Sequence, residues 1–158
     1  MKNYKKQGII ETSYIYFFTR WGENSIKTKY EGIKALLDQG FSLDYARKQV
    51  HDYTAFKIGE TSNLGCRKSG IKNVDKFFPA AVFQFEGTSA ERKLLEGHIR
   101  FYYEVRFGKN CVNYGNDHFI CHNSNILKCA IKEFQSACDF AMKQMEKERQ
   151  EILNFKNI

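Results

Sequence analysis

The sequence lacks any apolar run long enough to cross a membrane, and its first ten residues, "MKNYKKQGII", lack the apolar core of a signal peptide. We therefore expect an intracellular, cytoplasmic protein that has no membrane partner. The chain also has a single proline and no internal repeat or low-complexity linker. Its 158 residues fit one domain with enough apolar side chains for a proper core.

The sequence lacks a cysteine pattern for metal binding, since none of its five cysteines forms a Cys-x-x-Cys pair. In an intracellular chain, this odd number argues against a disulfide framework and for reduced thiols. A zinc site can be imagined around "HFICH" from His118, Cys121 and His122, with Cys111 upstream. Without a Cys-x-x-Cys pair, buried thiols and surface histidines are the simpler interpretation.

Acidic residues are fewer than basic ones, with 18 Asp and Glu against 25 Lys and Arg, which gives a net charge of +7. Such an excess favours an anionic partner, and nucleic acid, DNA above all, is the partner we expect. Aromatic residues make up 15% of the chain, and aromatic faces among basic groups suit bases and sugars. The basic residues that we assign to DNA binding, apart from Arg67, are Lys27, Lys29, Lys34, Lys68 and Lys72.

Alternating and β-branched stretches predict strands at 13–18, 53–59 and 79–87, with an extended piece at 118–121. Helical spacing predicts two short helices in an insertion of about 22–53, the first ended by Gly40. It also predicts one helix after residue 63, one at 88–105 and a long C-terminal helix of about 124–153. The expected fold class is α+β. A small three-stranded, mainly antiparallel sheet is flanked by helices, in one domain that spans residues 1–158.

One stretch, "FKIGETSNLGCRKSGI" at 56–71, combines features of an anion-binding turn. A strand that ends in Gly59 lets a backbone come close to a ligand. Thr61, Ser62 or Asn63 is expected to cap the following helix, whose first N–H groups attract anions. Arg67 follows Gly59 by eight positions.

These residues resemble the GIY-YIG nuclease superfamily. The similarity comprises Tyr-Ile-Tyr at 14–16, Lys-Ile-Gly at 57–59, Arg67, a third strand, and a helix that carries Glu91. It covers residues 13 to about 121 and is closest to the phage-type branch with Lys-Ile-Gly in the second motif. The resemblance implies a metal-dependent DNA endonuclease, of the kind that phages encode, that hydrolyses phosphodiester bonds with Mg²⁺ or Mn²⁺.

The resemblance also implies a role for each matching residue. Tyr16 takes the place of the tyrosine that helps to activate water, and Lys57 stands where many members have a second tyrosine. Arg67 takes the place of the arginine that binds the scissile phosphate, a task that suits its planar fork of donors. Glu91 takes the place of the carboxylate that holds the metal, and Asn113 resembles an asparagine that supports the site.

Two of these assignments have rivals. Tyr14 lies on the same strand face as Tyr16 and is the alternative tyrosine. Glu91 also fits a capping box in "TSAE", where its side chain would return to the start of the helix, and Glu96 is the competing metal ligand. Helical angles favour Glu91, because they predict that it faces the sheet with Leu95 and that Glu96 points away.

The sequence departs from the family pattern in three places. About forty residues separate the two motifs instead of a short hairpin, Tyr14 replaces a glycine, and Ile71 stands where histidine is common. These departures keep open a non-cleaving DNA-binding or regulatory module, and the positive charge alone keeps open an RNA-binding accessory protein. The long insertion also suggests that its helices contact substrate or a partner, and we expect any protein partner to bind through the insertion or the C-terminal helix.

Overall fold

The computed structural model describes residues 8–20, 30, 33, 34, 36–49, 54–75, 77–114, 118–121 and 124–156. Five strands and five helices are labelled in chain order. They are β1 Glu11–Arg20, α1 Leu43–Gln49, β2 Thr54–Thr61, α2 Leu64–Asp75, β3 Phe78–Gly87, α3 Ser89–Phe107, β4 Cys111–Tyr114, β5 His118–Cys121, α4 Ser124–Lys132 and α5 Phe134–Lys156.

The five strands form one antiparallel sheet in the order β3-β1-β2-β5-β4. The α+β class is confirmed, but the prediction of three strands is wrong. The extended piece at 118–121 pairs with β2, and residues 111–114, where the pattern predicts a loop, pair with β5. A four-residue strand has too little periodicity of its own to be recognised, since only its partner defines it.

The two faces of the sheet have separate cores, because side chains alternate along each strand. We name each face after a residue of β1. The Tyr16 face carries Tyr16, Phe18, Ala55 and Ile120, and the Ile15 face carries Ile15, Phe17, Phe56, Ile58 and Phe119.

The Ile15 face is covered by α3, α4 and α5, which contribute buried residues such as Leu95, Leu127 and Ala141. Aromatic rings fill this side of the sheet, where Phe17 and Phe119 both stack on Phe56 with ring centroids less than 5 Å apart. Offset aromatic stacking of this kind adds to the stabilisation from burying the rings. This side holds the larger of the two cores.

The Tyr16 face is covered by the inserted segment and by the start of α2. Ile33, Leu36 and Ala46 come from the insertion, and Leu64 packs at the edge of the same cluster. The first inserted helix ends at Gly40 as predicted, since φ there is +91° and its N–H donates to the carbonyl of Leu37. The insertion therefore forms the cover of one sheet face.

The predicted helix starts at α2 and α3 are confirmed. Among the three candidates for the α2 cap, Asn63 is the residue whose side-chain oxygen accepts from the N–H of Cys66, at 3.1 Å. Thr88 and Glu91 form the capping box at α3, with both reciprocal hydrogen bonds present. Each cap satisfies backbone donors that the first helical turn leaves unpaired.

The C-terminal segment forms two helices, so the prediction of one long helix over about 124–153 is wrong in detail. The helix is interrupted at Glu133, although backbone hydrogen bonds into and out of this residue are kept. The second of these helices, α5, then runs along α3. No helix in the described ranges has both the length and the hydrophobicity that crossing a membrane requires.

Candidate nucleic-acid interface and active site

Tyr16 lies in the middle of β1 and is nearly inaccessible, with 2% of its surface exposed. It is directly opposite Gly59 in β2, and a Cβ placed on Gly59 would overlap the Tyr16 hydroxyl and ring. The two sequence motifs therefore meet at this point, because Gly59 has no side chain and leaves room for the Tyr16 ring to lie across it. The inserted helices cover this pair.

Lys57 and Tyr14 share the Tyr16 face. Lys57 is opposite Phe18 on one side and His118 on the other, and its side chain is half-buried. Tyr14 is opposite Thr61, nearer the end of the sheet where α2 begins, and is also half-buried. Tyr14 is thus the more accessible of the two candidate tyrosines.

Arg67 lies in the first turns of α2, about one turn after Leu64, which packs against the Tyr16-face cluster. Its side chain is exposed, as is that of Lys68. Among the described residues, Arg67 has no ion pair and no side-chain hydrogen bond. A guanidinium in this state is available to a phosphate from solution.

Glu91 is engaged at both carboxylate oxygens. Its Oε1 accepts from the backbone N–H of Thr88 at 3.0 Å, and its Oε2 lies 3.3 Å from Nη2 of Arg149. The helix α3, which carries it, packs on the Ile15 face, opposite to Tyr16.

This arrangement does not fit a catalytic metal ion shared by Glu91 and Tyr16. The described ranges also hold no group of three or more His, Cys, Asp or Glu side chains arranged to bind a metal. A hard divalent cation needs several oxygen ligands, and the one carboxylate assigned to it faces a cation already.

The predicted orientation of α3 is wrong. The residues that it buries against the sheet are Arg92, Leu95, Ile99, Tyr103 and Phe107. Glu91 flanks this stripe on the side of α5. Glu96 does not point away, since its side chain is only 16% exposed and it lies 3.6 Å from Arg100. Alignment with Leu95 puts Glu91 only at the edge of the buried stripe, because the middle of that stripe runs through Arg92, Ile99 and Tyr103.

Asn113 lies in β4 opposite Phe119, which places it on the Ile15 face and half-buried. The structure therefore puts Tyr16 and Lys57 on one face of the sheet, and Glu91 and Asn113 on the other side. Arg67 belongs to the Tyr16 side. The five residues do not converge on one point.

No protein-family model, curated protein or solved structure matches this chain.

A charged cluster that sequence analysis missed lies at the end of the sheet. Arg92 is 7% exposed and donates to Glu60 at 2.9 Å, Glu11 at 2.8 Å and the hydroxyl of Ser13 at 3.2 Å. Burial by itself lowers the pKa of Arg92, but the two carboxylates outweigh it and raise the pKa. No local pattern reveals this cluster, because the carboxylates that bind Arg92 lie 32 and 81 positions away from it in the sequence.

The arginines differ systematically between the two sides. On the helices of the Ile15 side, every arginine lies within 4 Å of a glutamate, namely Arg92, Arg100, Arg106 and Arg149. On the Tyr16 side, Arg47 and Arg67 are exposed and have no ion pair within the described ranges. The unpaired guanidinium groups among the described residues therefore lie on the Tyr16 side, whereas the exposed positive charge of the Ile15-side helices that has no ion pair there belongs to lysines such as Lys93 and Lys128.

Of the other lysines assigned to DNA binding, Lys34 is exposed beside the Tyr16-face cluster. Lys27 and Lys29 lie outside the described residues, as does the side chain of Lys72 within α2. His122, from the imagined zinc site, lies outside them too, while Cys111 and Cys121 are buried with their Sγ atoms 3.4 Å apart.

Proposed function

We propose that this protein binds DNA through its phosphates, using the helices that cover the Tyr16 face. The observation that carries the proposal is the contrast between unpaired and paired arginines on the two sides of the sheet. A protein does not need exposed, unpaired guanidinium groups for stability, whereas an anionic ligand does need them for binding. The net charge of +7 supports the same conclusion.

Arg67 is the central residue of the proposed surface. It follows a capped helix start, where backbone N–H groups and the helix dipole add to the positive potential. No acidic residue lies in the first turn of α2. Lys68, Arg47 and Lys34 extend the basic surface over the same side, so a DNA backbone meets several cations. The resemblance to GIY-YIG nucleases, in which this arginine binds phosphate, favours DNA as the ligand.

Fluorescence anisotropy with a labelled duplex tests the proposal. Because each neutralised phosphate releases counterions, the slope of log K against log salt is about −0.9 for each contact. We expect Arg67→Ala and Arg47→Ala each to weaken binding about 10- to 100-fold, as loss of a hydrogen bond to a charged group does. Arg106→Ala is the matched control, since Arg106 is also exposed but pairs with Glu133 on the other side.

Binding that is insensitive to salt would contradict the proposal, and so would an equal loss from Arg106→Ala and Arg67→Ala. A marked preference for single-stranded RNA over duplex DNA would favour the RNA-binding alternative, because single strands are bound by stacking on aromatic side chains.

Hydrolysis of DNA is the second candidate function. It is favoured by the contact between Tyr16 and Gly59, which brings the two motifs of the resemblance together across β1 and β2. It is opposed by the position of Glu91, on the other side and paired with Arg149. The present geometry therefore supports binding better than cleavage.

Plasmid nicking in the presence of Mg²⁺ distinguishes the two. If the protein cuts, Tyr16→Phe should lower the rate by about 10²- to 10⁴-fold, as loss of a general acid or base does. If Tyr14→Phe abolished cutting and Tyr16→Phe did not, the catalytic tyrosine would be Tyr14, two residues before the assigned one. Glu91→Gln and Glu96→Gln test the two candidate metal ligands in the same way, because only the loss of the metal-binding carboxylate should abolish cutting. No cutting by the wild-type protein, with DNA binding intact, would confirm a binding module.

A further inference from the structure

Two cysteines face each other across the short strands at one edge of the sheet. Cys111 in β4 is directly opposite Cys121 in β5, and their Sγ atoms are 3.4 Å apart. Opposite positions in antiparallel strands have Cα atoms about 4.5–5.5 Å apart, which lies within the range of about 4.4–6.8 Å that disulfides span. The register of the two strands therefore places these thiols where a disulfide can form.

The movement that such a bond requires is small. A disulfide bond is about 2.0 Å long, so the two sulfur atoms need to approach each other by only about 1.4 Å. Rotation of both side chains about their Cα–Cβ bonds shares this movement. Neither strand has to change its register.

Both thiols are protected while the two strands are paired. Cys111 is 4% exposed and Cys121 is 1% exposed, and both belong to the core of the Ile15 face. Burial, with a smaller contribution from the hydrogen bond with Cys111, raises the pKa of Cys121. Because the thiolate is the reactive form of cysteine, the buried pair reacts slowly with oxidants in the closed protein.

The position of β4 at the edge of the sheet gives an oxidant its access. This strand has four residues and pairs with β5 alone among the described strands, whereas β5 also pairs with β2. Elements with few contacts open locally at a much lower free energy than the centre of a sheet. Opening of β4 exposes Cys111 first, since Cys121 lies on the inner strand of the pair.

From this geometry we propose that Cys111 and Cys121 form a reversible dithiol–disulfide pair, which a low-molecular-weight disulfide such as oxidised glutathione converts to a bond between β4 and β5. The Cys111 thiolate attacks one sulfur of the oxidant, which breaks its S–S bond and releases one thiolate. The Cys121 thiolate then attacks Sγ of Cys111 in the mixed disulfide, and the second thiolate leaves. Two protein thiols are thereby oxidised, one disulfide is reduced, and the two protons pass to the released thiolates.

The bond restrains an edge that both cores depend on. The inner strand β5 contributes Phe119 to the core of the Ile15 face and Ile120 to that of the Tyr16 face. A link between Cys111 and Cys121 closes a loop over residues 112–120 and so restricts the unfolded chain as well as the open edge. Oxidation therefore makes this edge harder to open, and the inference does not depend on DNA binding.

Equilibration of the full chain in glutathione buffers, from fully reduced to fully oxidised, tests the pair. After digestion without reductant by chymotrypsin, which cuts after Tyr114 and Phe119, mass spectra should show the peptides that carry Cys111 and Cys121 joined. Dithiothreitol should separate them. In the oxidised protein, amide hydrogen exchange in β4 should slow at least about 10-fold, because the bond restricts local opening.

Cys138→Ala is the matched control, since Cys138 is the remaining buried thiol and its loss should leave the joined peptides in place. Cys111→Ala should abolish them. The exposed thiols of Cys66 and Cys129 are expected to form mixed disulfides with glutathione, which the mass of each peptide distinguishes from the internal bond.

Three results would overturn the inference. One is a folded protein in which both thiols stay reduced at every buffer ratio. Another is a bond that joins Cys138 to Cys111 or to Cys121. The third is a linked protein whose exchange in β4 is unchanged, since the bond would then place no restraint on the edge. All three are measured on the wild-type chain, so they do not depend on whether a variant folds.

Discussion

Two arginines, Arg92 and Arg67, illustrate how differently the two sides of the sheet use positive charge. Arg92 is buried on the Ile15 side, with Glu11 and Glu60 as partners. Arg67 is exposed on the Tyr16 side and has no ion pair among the described residues. The first connects α3 to two strands, whereas the second is available to a ligand. Residues of one type thus serve folding on one side and, as we propose, recognition on the other.

Arg92→Ala is expected to have the largest effect. It leaves Glu11 and Glu60 without their buried partner, and breaking such a cluster costs about 3–5 kcal/mol in the free energy of unfolding. Urea denaturation measures the loss. Glu60→Gln in the Arg92→Ala background should recover part of it by removing an uncompensated charge. A loss no larger than that of Arg100→Ala would mean that the cluster is not structural.

Gly59→Ala tests the contact between the two motifs on the Tyr16 face. The new methyl group overlaps Tyr16, so we expect a loss of about 1–3 kcal/mol in the free energy of unfolding, as overpacking causes. Tyr16→Leu should restore part of this loss in a double-mutant cycle. Gly97→Ala is the control, because a Cβ there meets nothing within 4 Å. Additive effects of Gly59→Ala and Tyr16→Leu would contradict the contact.

Arg67→Ala should have almost no effect on stability, since exposed substitutions without partners usually change it by less than about 0.5 kcal/mol. Its effect should appear in the salt dependence of DNA binding, where the slope should become shallower by about 0.9. Thermal melting and anisotropy titrations on one preparation measure both quantities. A clear loss of stability with an unchanged slope would place Arg67 among the structural arginines and remove the contrast with Arg92.

Buried and exposed thiols should differ in ionisation only at alkaline pH. Burial, with a smaller contribution from Asp139, raises the pKa of Cys138 from 9.0 to about 12. As the pH rises, the Cys138 thiol therefore ionises in the unfolded chain before it does so in the folded protein. The free energy of unfolding is then unaffected below about pH 9 and decreases above it. While the unfolded thiol alone is ionised, the loss is about 1.4 kcal/mol for each pH unit.

Urea denaturation between pH 8 and pH 10.5 should therefore show a shallower alkaline loss for Cys138→Ala than for the wild-type protein. Cys66→Ala is the matched substitution of an exposed thiol on α2, and it controls for the loss of a thiol as such. Parallel curves for Cys138→Ala and the wild type would contradict the buried neutral thiol.

The pattern of side chains predicted those features that depend on neighbours along the chain. The sequence predicted the three longer strands, the Gly40 helix end, a helix cap within 61–63 and the Thr88 capping box, because propensity, capping and alternation act within a few residues. The α+β class follows from the order of these elements. The spacing between Gly59 and Arg67 likewise placed a basic residue in the first turns of a helix after a strand.

The strand β4, the Arg92 cluster and the face occupied by Glu91 were decided only by tertiary structure. A four-residue strand exists because β5 supplies its hydrogen bonds, and Arg92 is satisfied by carboxylates brought from distant strands. Likewise, α3 packs on the Ile15 face because its buried stripe runs through Arg92, Leu95 and Ile99, which only the completed sheet could select. The sequence thus determined the local elements and the charge, whereas packing between distant segments determined which charges are paired with carboxylates and which remain exposed.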